Sequence, residues 1–295
     1  MTRIAVFGGT GYLASLIKNQ NDVKENKYIF FTRKKVVKNY INYFSLKKKS
    51  NTLKNFDFVI HLAGPNQNQL NKNENLIKKK NQITSDICDL CLAHNIKLIY
   101  ISSMQVYKSY GIRNISINSK INSENSYSKL HYASEKIIKT KFLNNKKMFT
   151  ILRMGNIFGF KKTVNLKKIN DNLVHSLCNI AIREKKILIQ KGYIQRTFIP
   201  SQIFIKVINS IIKKKLFNNS VANISYKSLN LKDVAQLIQK RLKLIFHIYV
   251  DVEIINMRKK KKYSIYLNQN FRFKVVKKII YKEIDQILKF FLKNT

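Results

Sequence analysis

Residues 4–14 read IAVFGGTGYLA. A four-residue apolar run stops at three closely spaced glycines, Gly8, Gly9 and Gly11, and the helical pattern YLASLIKNQ follows at once. Glycine inside a strand or helix costs conformational entropy, so its concentration at a junction marks a sharp turn or a close approach to the backbone. A strand that feeds directly into a helix packing back on the same sheet commits the chain to a layered α/β fold. In that arrangement Gly8 makes the tight turn and Gly11 lets a pyrophosphate near the backbone, while Ala14 is small enough for the helix to lie on the strand. The first helical residues, Tyr12 and Leu13, then present N–H groups and the positive end of the helix dipole to phosphate. A glycine turn with no ligand is the competing reading; the strand–turn–helix context favours a dinucleotide.

The alternation continues. Residues 3–8, 27–32, 56–64, 96–103 and 148–156 are short β-branched and aromatic runs, and they read as buried parallel strands. Helical patterns separate most of them, notably ENLIKKKNQITSDICDLCLAHN and SKLHYASEKIIKTKFLNN. The expectation is a doubly wound parallel sheet spanning residues 1–160. A smaller α+β region over 161–295 binds substrate and is partly interleaved with the sheet. The chain has two prolines, Pro65 and Pro200, and no Gly/Ser-rich linker.

Charge is the strongest compositional bias. Fifty-seven Lys and Arg against fifteen Asp and Glu give a net +42. One implication is an anionic partner such as nucleic acid. The lysines are spread along the chain, however, and Lys, Asn, Ile, Phe and Tyr, all with A/T-rich codons, are abundant together. Compositional drift accounts for this, and no specific nucleic-acid partner is expected. No apolar run approaches the roughly 20 residues of a bilayer span, so no membrane partner is expected and a cytoplasmic location is. Cys88, Cys91 and Cys178 are too few for a disulfide framework and fit a reducing compartment. The CDLC spacing lacks the second pair of a zinc site, and it reads as two core thiols on a helix. No metal is expected.

Acid–base chemistry is suggested by HYASEKIIK, in which Tyr132 and Lys136 are four residues apart and share a helix face. An ammonium near a phenol favours the phenolate and suits the tyrosine to proton transfer near neutral pH. Tyr127 is a neighbouring tyrosine, but its i+4 residue is His131. Ser102 and Ser103, in YISSMQVY, fall at the C-terminal end of the fourth strand-like run, where open α/β sheets bind ligands. The residues after the second run, Arg33 and Lys34, stand where an acidic residue would bind a ribose 2′-hydroxyl. Two cations there suit a 2′-phosphate, so NADP is expected ahead of NAD.

Together these stretches resemble the extended short-chain dehydrogenase/reductases, the NAD(P)-dependent epimerase/dehydratase group that acts on nucleotide sugars, with their Rossmann nucleotide-binding domain. GGTGYLA is similar to the glycine fingerprint and FDFVIHLAG, with Leu62, Ala63 and Gly64, to the strand end at the cofactor. NQIT supplies the helix Asn81. YISSMQVY resembles the segment of the catalytic serine, selecting Ser103, and YASEK the tyrosine–lysine pair. LRMGNIFG supplies Asn156 and QRTFIPSQIF supplies Arg196.

The resemblance implies that Ser103 and Tyr132 bind the reacting sugar oxygen. Lys136 holds the cofactor ribose and lowers the Tyr132 pKa, while Asn156 and Arg196 bind the sugar nucleotide. Dehydratases of the group carry an acid–base pair after the serine position; here Met104 and Gln105 stand there, which removes dehydration. A 4-keto-sugar reductase or a sugar 4-epimerase, in surface-polysaccharide sugar synthesis and possible as a homodimer, is the implied function. The alternative is a catalytically inactive NADP-binding regulatory or structural protein of the same fold. The chain departs from the group in lacking an evident acidic residue in YFSLKKKSNTLKN and in its C-terminal MRKKKKYSIYLNQNFRF, where Arg258 is a weak phosphate-clamp candidate.

Overall fold

The computed structural model describes residues 1–18, 26–32, 41–42, 54–73, 75–108, 114–122, 125–160, 172–255 and 273–294. Arg33, Lys34, Arg258 and most of the 43–55 stretch lie outside these. By its contacts the chain divides into two compact units. Unit 1 takes residues 1–108, 121–153 and 208–222; unit 2 takes 109–120, 154–207 and 223–295.

Unit 1 is the doubly wound sheet. Its strands are β1 (Thr2–Phe7), β2 (Asn26–Thr32), β3 (Ile41–Asn42), β4 (Phe58–His61), β5 (Lys97–Ser103), β6 (Phe149–Met154) and β10 (Ser220–Ile224). Their order is β10-β6-β5-β4-β1-β2-β3. Strand β1 pairs in parallel with β2 and β4, β2 with β3, and β4 with β5. The helices are α1 (Tyr12–Lys18), α2 (Gln67–Lys72), α3 (Asn75–Ala93) and α4 (Ser126–Lys141). All four residues of β4 and all six of β6 are buried, as expected of strands covered on both faces.

The core under α3 and α4 joins Phe7, Phe31, Val59, Leu98, Tyr100 and Ile138, with the Phe7 and Phe31 rings stacked at 4.9 Å. Cys88 and Cys91 are free and fully buried within it. Burial pushes the Cys88 thiol up to about 12 and the Cys91 thiol well above its ordinary value, which makes both inert packing groups.

The segment that returns from far along the sequence is sealed onto β6. The Asn219 Oδ1 accepts from the N–H groups of Met148 (2.7 Å) and Phe149 (3.1 Å), and the Thr150 hydroxyl donates to the carbonyl of Leu216. Phe217 stacks on Phe58 at 5.4 Å.

Unit 2 holds two small sheets. Strands β7 (Asn156–Phe158), β9 (Gln195–Pro200) and β11 (Lys227–Asn230) form one, with β9 central; β8 (Lys186–Gln190) and β12 (Asp251–Ile255) form a parallel pair. Its helices are α5 (Leu173–Glu184), α7 (Leu231–Phe246) and α8 (Lys277–Leu292). Helix α6 (Ser201–Lys214) runs from unit 2 into unit 1. The Glu283 carboxylate, 1 % exposed, accepts from the Ser201 hydroxyl at 2.6 Å and ties α8 to the start of α6.

Among the described residues no helix is long and apolar enough to cross a membrane, and no cluster of His, Cys, Asp or Glu is arranged to hold a metal ion.

Candidate active site

The glycine turn closes as the sequence requires. Gly8 has φ +90°, and a Cβ on it would lie 2.7 Å from the Ala63 nitrogen and 2.8 Å from the Leu62 carbonyl carbon. Only glycine tolerates both the backbone angle and that approach. The turn is held by Gly11 N–H to the Gly8 carbonyl (2.8 Å) and Gly9 N–H to the Phe31 carbonyl (2.9 Å). Gly8 therefore brings the turn against Leu62 and Ala63 at the end of β4, two candidate cofactor segments in one place. At Gly11 a Cβ would touch the Gly8 carbonyl oxygen at 3.1 Å and nothing further within 4 Å, so the space before the turn is open. Tyr12 and Leu13 are half-buried at the start of α1, and Gly64 is exposed.

Strand β5 ends in Ser102 and Ser103, whose side chains point to opposite faces. Ser103 Oγ accepts from the Gln105 N–H at 3.2 Å and caps the short 3₁₀ turn Met104–Val106. Ser102 turns inward and donates to Glu135 Oε1 at 2.6 Å. Glu135 is fully buried, and Arg153 grips it at both oxygens, 2.9 Å from Nε and 2.5 Å from Nη2. Arg153 also donates to the Tyr107 hydroxyl at 2.7 Å. Burial alone would pull the Arg153 guanidinium down; the Glu135 carboxylate outweighs it and holds the guanidinium above its ordinary value.

This staple fixes the rotation of α4. With about 100° per residue, Glu135, His131 and Tyr127 fall within roughly 80° of one another, on the face toward β5. Tyr132 lies about 140° from Tyr127, and Lys136 about 180°. Lys136 is exposed, lies over the Tyr132 ring at 4.8 Å, and lines an open groove between α3 and α4 with Lys78, Asn81, Gln82, Ser85 and Thr140. The expected pair Tyr132–Lys136 makes a cation–π contact on the side of α4 turned away from Glu135, with Tyr132 half-buried as Tyr127 is. The Asn125 cap fixes Tyr127 at the first turn of the helix, accepting its N–H at 2.7 Å, on the face that Glu135 turns toward β5. Burial raises the Tyr127 pKa, and the Ser103 hydroxyl offsets part of that rise.

The i+4 partner of Tyr127 is His131, edge-on to its ring at 4.6 Å. His131 Nδ1 meets the Tyr100 hydroxyl at 2.9 Å. Burial, and then the charge of Lys80, pull His131 down to about 3, so at neutral pH it carries no charge. Sequence reading weighed Tyr127 only as a neighbour of Tyr132 and passed over Glu135, Arg153 and Lys80. One signal was available: in a chain with fifteen acids, Glu135 stands eight residues after Tyr127, on the same helix face.

Asn156 and Arg196 belong to unit 2. The Asn156 amide donates to the Thr197 carbonyl at 3.1 Å, tying β7 to β9, and Arg196 is half-buried on β9.

A glycine turn at the first strand–helix junction of a doubly wound parallel sheet, with Ser103 at the end of β5, defines a Rossmann-like α/β protein. The family model for the NAD dependent epimerase/dehydratase family matches residues 4–224, and the chain belongs to that family. A search of curated proteins finds no sequence match. Among solved structures, UDP-glucose 4-epimerase from Bifidobacterium longum, in complex with NAD+ and UDP, superposes with a TM-score of 0.78 at 18% identity, covering 99% of each chain. UDP-N-acetylglucosamine 4-epimerase from Bacillus cereus gives 0.76 at 19%, over 98% of this chain and 96% of that one. The dTDP-glucose 4,6-dehydratase from Bacillus anthracis, in complex with NAD, gives 0.76 at 15%, over 100% and 97%.

Proposed function

We propose that this chain is an NAD(P)-dependent nucleotide-sugar oxidoreductase, acting as a sugar 4-epimerase or a 4-keto-sugar reductase, with Ser103 and Tyr127 at the reacting oxygen. The observation that carries this reading is the Gly8 turn packed against Leu62 and Ala63, with Ser103 at the end of β5 and Tyr127 on the α4 face that Glu135 turns toward that strand. The Ser103 hydroxyl donates to the sugar oxygen and orients it. Tyr127 takes or returns the proton at that same oxygen. The open face of the Gly8–Gly11 turn after β1 and the residues Leu62–Gly64 after β4 fit a dinucleotide. When bound, the nicotinamide accepts or delivers the hydride; the protein contributes position and electrostatics. Asn156 and Arg196 are the candidates for the nucleotide end of the substrate. Met104 and Gln105 carry no carboxyl group, so elimination of water lacks its acid and base, which separates this chain from a dehydratase.

Two of the solved relatives are 4-epimerases of UDP-sugars, which supports epimerisation as the leading activity. Arg33 and Lys34 support NADP, and with it the reductase. A non-catalytic nucleotide-binding protein is the second reading, favoured by the uncharged His131 where Tyr127 would meet an ammonium.

The test is incubation with NAD+ and either UDP-glucose or UDP-N-acetylglucosamine, following the 4-epimer by NMR. A new epimer without net NADH supports the epimerase. Consumption of NADPH with a nucleotide 4-keto-sugar supports the reductase. Calorimetric binding of NAD and NADP with no turnover of any of these sugars favours the second reading.

A further inference from the structure

Lys80 stands where α3 should carry an apolar side chain. The buried stripe of that helix is Lys80, Thr84, Ile87, Cys88 and Cys91, and Lys80 is 2 % exposed. Its Nζ lies 2.6 Å from His61 Nε2, 3.1 Å from the Thr84 hydroxyl and 4.9 Å from the Tyr100 ring centre. Among the described residues no carboxylate pairs with it, since Glu135 is taken by Ser102 and Arg153. A buried amine without a counter-ion destabilises a fold, and an apolar side chain of similar size would serve packing better. Burial accordingly brings the Lys80 ammonium down to about 7. Such a group, kept at a cost beside a candidate site, calls for a role.

Its position supplies one. The Tyr100 ring beneath Lys80 carries the hydroxyl that meets His131, and the His131 ring abuts Tyr127. On the other side, a Cβ on exposed Gly64 would come within 3.2 Å of Lys80 Cε. Lys80 therefore lies between the open end of β4 and the helix that presents Tyr127. That helix offers the phenol a histidine, not a lysine, one turn on.

We propose that Lys80 is a positioning residue of the reaction centre, delivering from α3 the cation that Tyr127 lacks at the fourth residue along its own helix. The proposal rests on the reading of Tyr127 as the proton-transferring group. Lys80 acts through its neighbours: burial first, and then the Lys80 charge, hold His131 an uncharged partner of the Tyr100 hydroxyl, which leaves the Lys80 amine as the charge-bearing group behind the phenol. The ionisable groups around it are His61 from β4, Tyr100 from β5, His131 and Glu135 from α4, and Cys88 on its own helix.

The first experiment is an NMR titration of the His131 ring in the full-length protein, assigned by difference from His131→Gln. In the wild type the ring should stay neutral down to about pH 4. In Lys80→Met the midpoint should rise by at least about one pH unit. An ordinary wild-type midpoint near about 6.5, or equal midpoints in the two proteins, overturns the proposal; Lys80→Gln, which keeps a hydrogen-bond donor for Thr84, replaces Lys80→Met if that variant does not fold. The second experiment measures kcat on the UDP-sugar that the wild type turns over. Lys80→Met should lower kcat by about 10²-fold, and Lys80→Met/His131→Lys, which returns the amine to α4, should recover about tenfold or more. A folded double variant with no recovery, or Lys80→Met with wild-type kcat, overturns it. If the wild type turns over no sugar, the reading of Tyr127 fails on its own, and the titration still decides whether Lys80 governs His131.

Discussion

The Ser102 hydroxyl donates to Glu135 Oε1 at 2.6 Å, and that bond decides which tyrosine of α4 turns toward β5. Once Glu135 is drawn to β5, the helix has one rotation available. Tyr127 lies on the same face as Glu135, toward β5; Tyr132 is carried around to the side of α4 that holds Lys136.

Two single-hydroxyl deletions separate these tyrosines. Tyr127→Phe should lower turnover by about 10²–10⁴-fold, with cofactor affinity nearly unchanged. Tyr132→Phe should leave both near wild type. Steady-state kinetics on the UDP-sugar substrate check this, and the opposite pattern would restore the Tyr132–Lys136 pair as the acid–base group.

The Glu135–Arg153 pair is 0 % and 3 % exposed, so removing one partner strands a buried charge. Glu135→Gln or Arg153→Met should each destabilise by about 3–5 kcal/mol. The double variant Glu135→Leu/Arg153→Met should cost less than the sum. Urea denaturation of the three proteins gives the coupling; additive losses would mean that the two groups are not a pair in solution.

Acid should weaken the fold through buried histidines. Burial lowers His131 to about 3, His175 to about 4 and His61 well below the ordinary value, while the unfolded rings titrate near about 6.5. Between about pH 4 and 6.5 the unfolded chain binds up to three more protons, so stability falls as pH falls, by up to about 4 kcal/mol per pH unit. Unfolding free energies at pH 7.5 and 5.5 that agree would contradict this.

Lys80 acts with the same sign in a higher pH window. Its ammonium is lowered to about 7 in the fold against about 10.4 unfolded, so the unfolded chain holds the extra proton between those values. Wild-type stability should rise from pH 7 toward pH 10. Lys80→Met should lack that rise and should be more stable at neutral pH, by about 1–3 kcal/mol. Thermal melts across this range test it, and a less stable variant would identify Lys80 as a packing residue.

At the glycine turn, Gly8→Ala meets both a φ of +90° and the Ala63 nitrogen at 2.7 Å, and should destabilise by about 1–3 kcal/mol or more. Gly11→Val, at a half-buried position where an added Cβ meets only the Gly8 carbonyl oxygen, should fold and lose cofactor affinity. Calorimetry with NAD and NADP separates the two; a Gly11→Val protein that binds normally would make the turn purely structural.

The sheet was legible because its signals are local. Glycines after Phe7, β-branched runs and a 3.6-residue stripe each declare themselves within a dozen residues. Strand ends were overestimated where hydrophobicity outlasts pairing, as in 56–64 against β4. Helix α6 went unread although Ile203, Phe204, Val207, Ile208, Ile211 and Ile212 are all buried at helical spacing. The short strands β7, β11 and β12 lack local signals and are defined by their partners. At the site, the place of Ser103 at a strand end was legible. Which tyrosine of α4 turns toward β5 was not, because spacing alone cannot give the rotation of a helix: Tyr132–Lys136 satisfies i, i+4 as well as any pair. That rotation is set by a bond between residues 33 positions apart.

The return of residues 208–222 to unit 1 sets the order of events on the ribosome. Synthesis delivers β1 through β6 first, but β10 and the Asn219 amide that caps the β6 end arrive some seventy residues later. During that interval β6 is an unpaired edge with a fully buried sequence, the kind of surface that recruits other chains. At roughly 5–20 residues per second the exposure lasts for seconds, long enough for chaperones to engage the nascent chain, and a truncation near residue 160 would make that transient edge permanent.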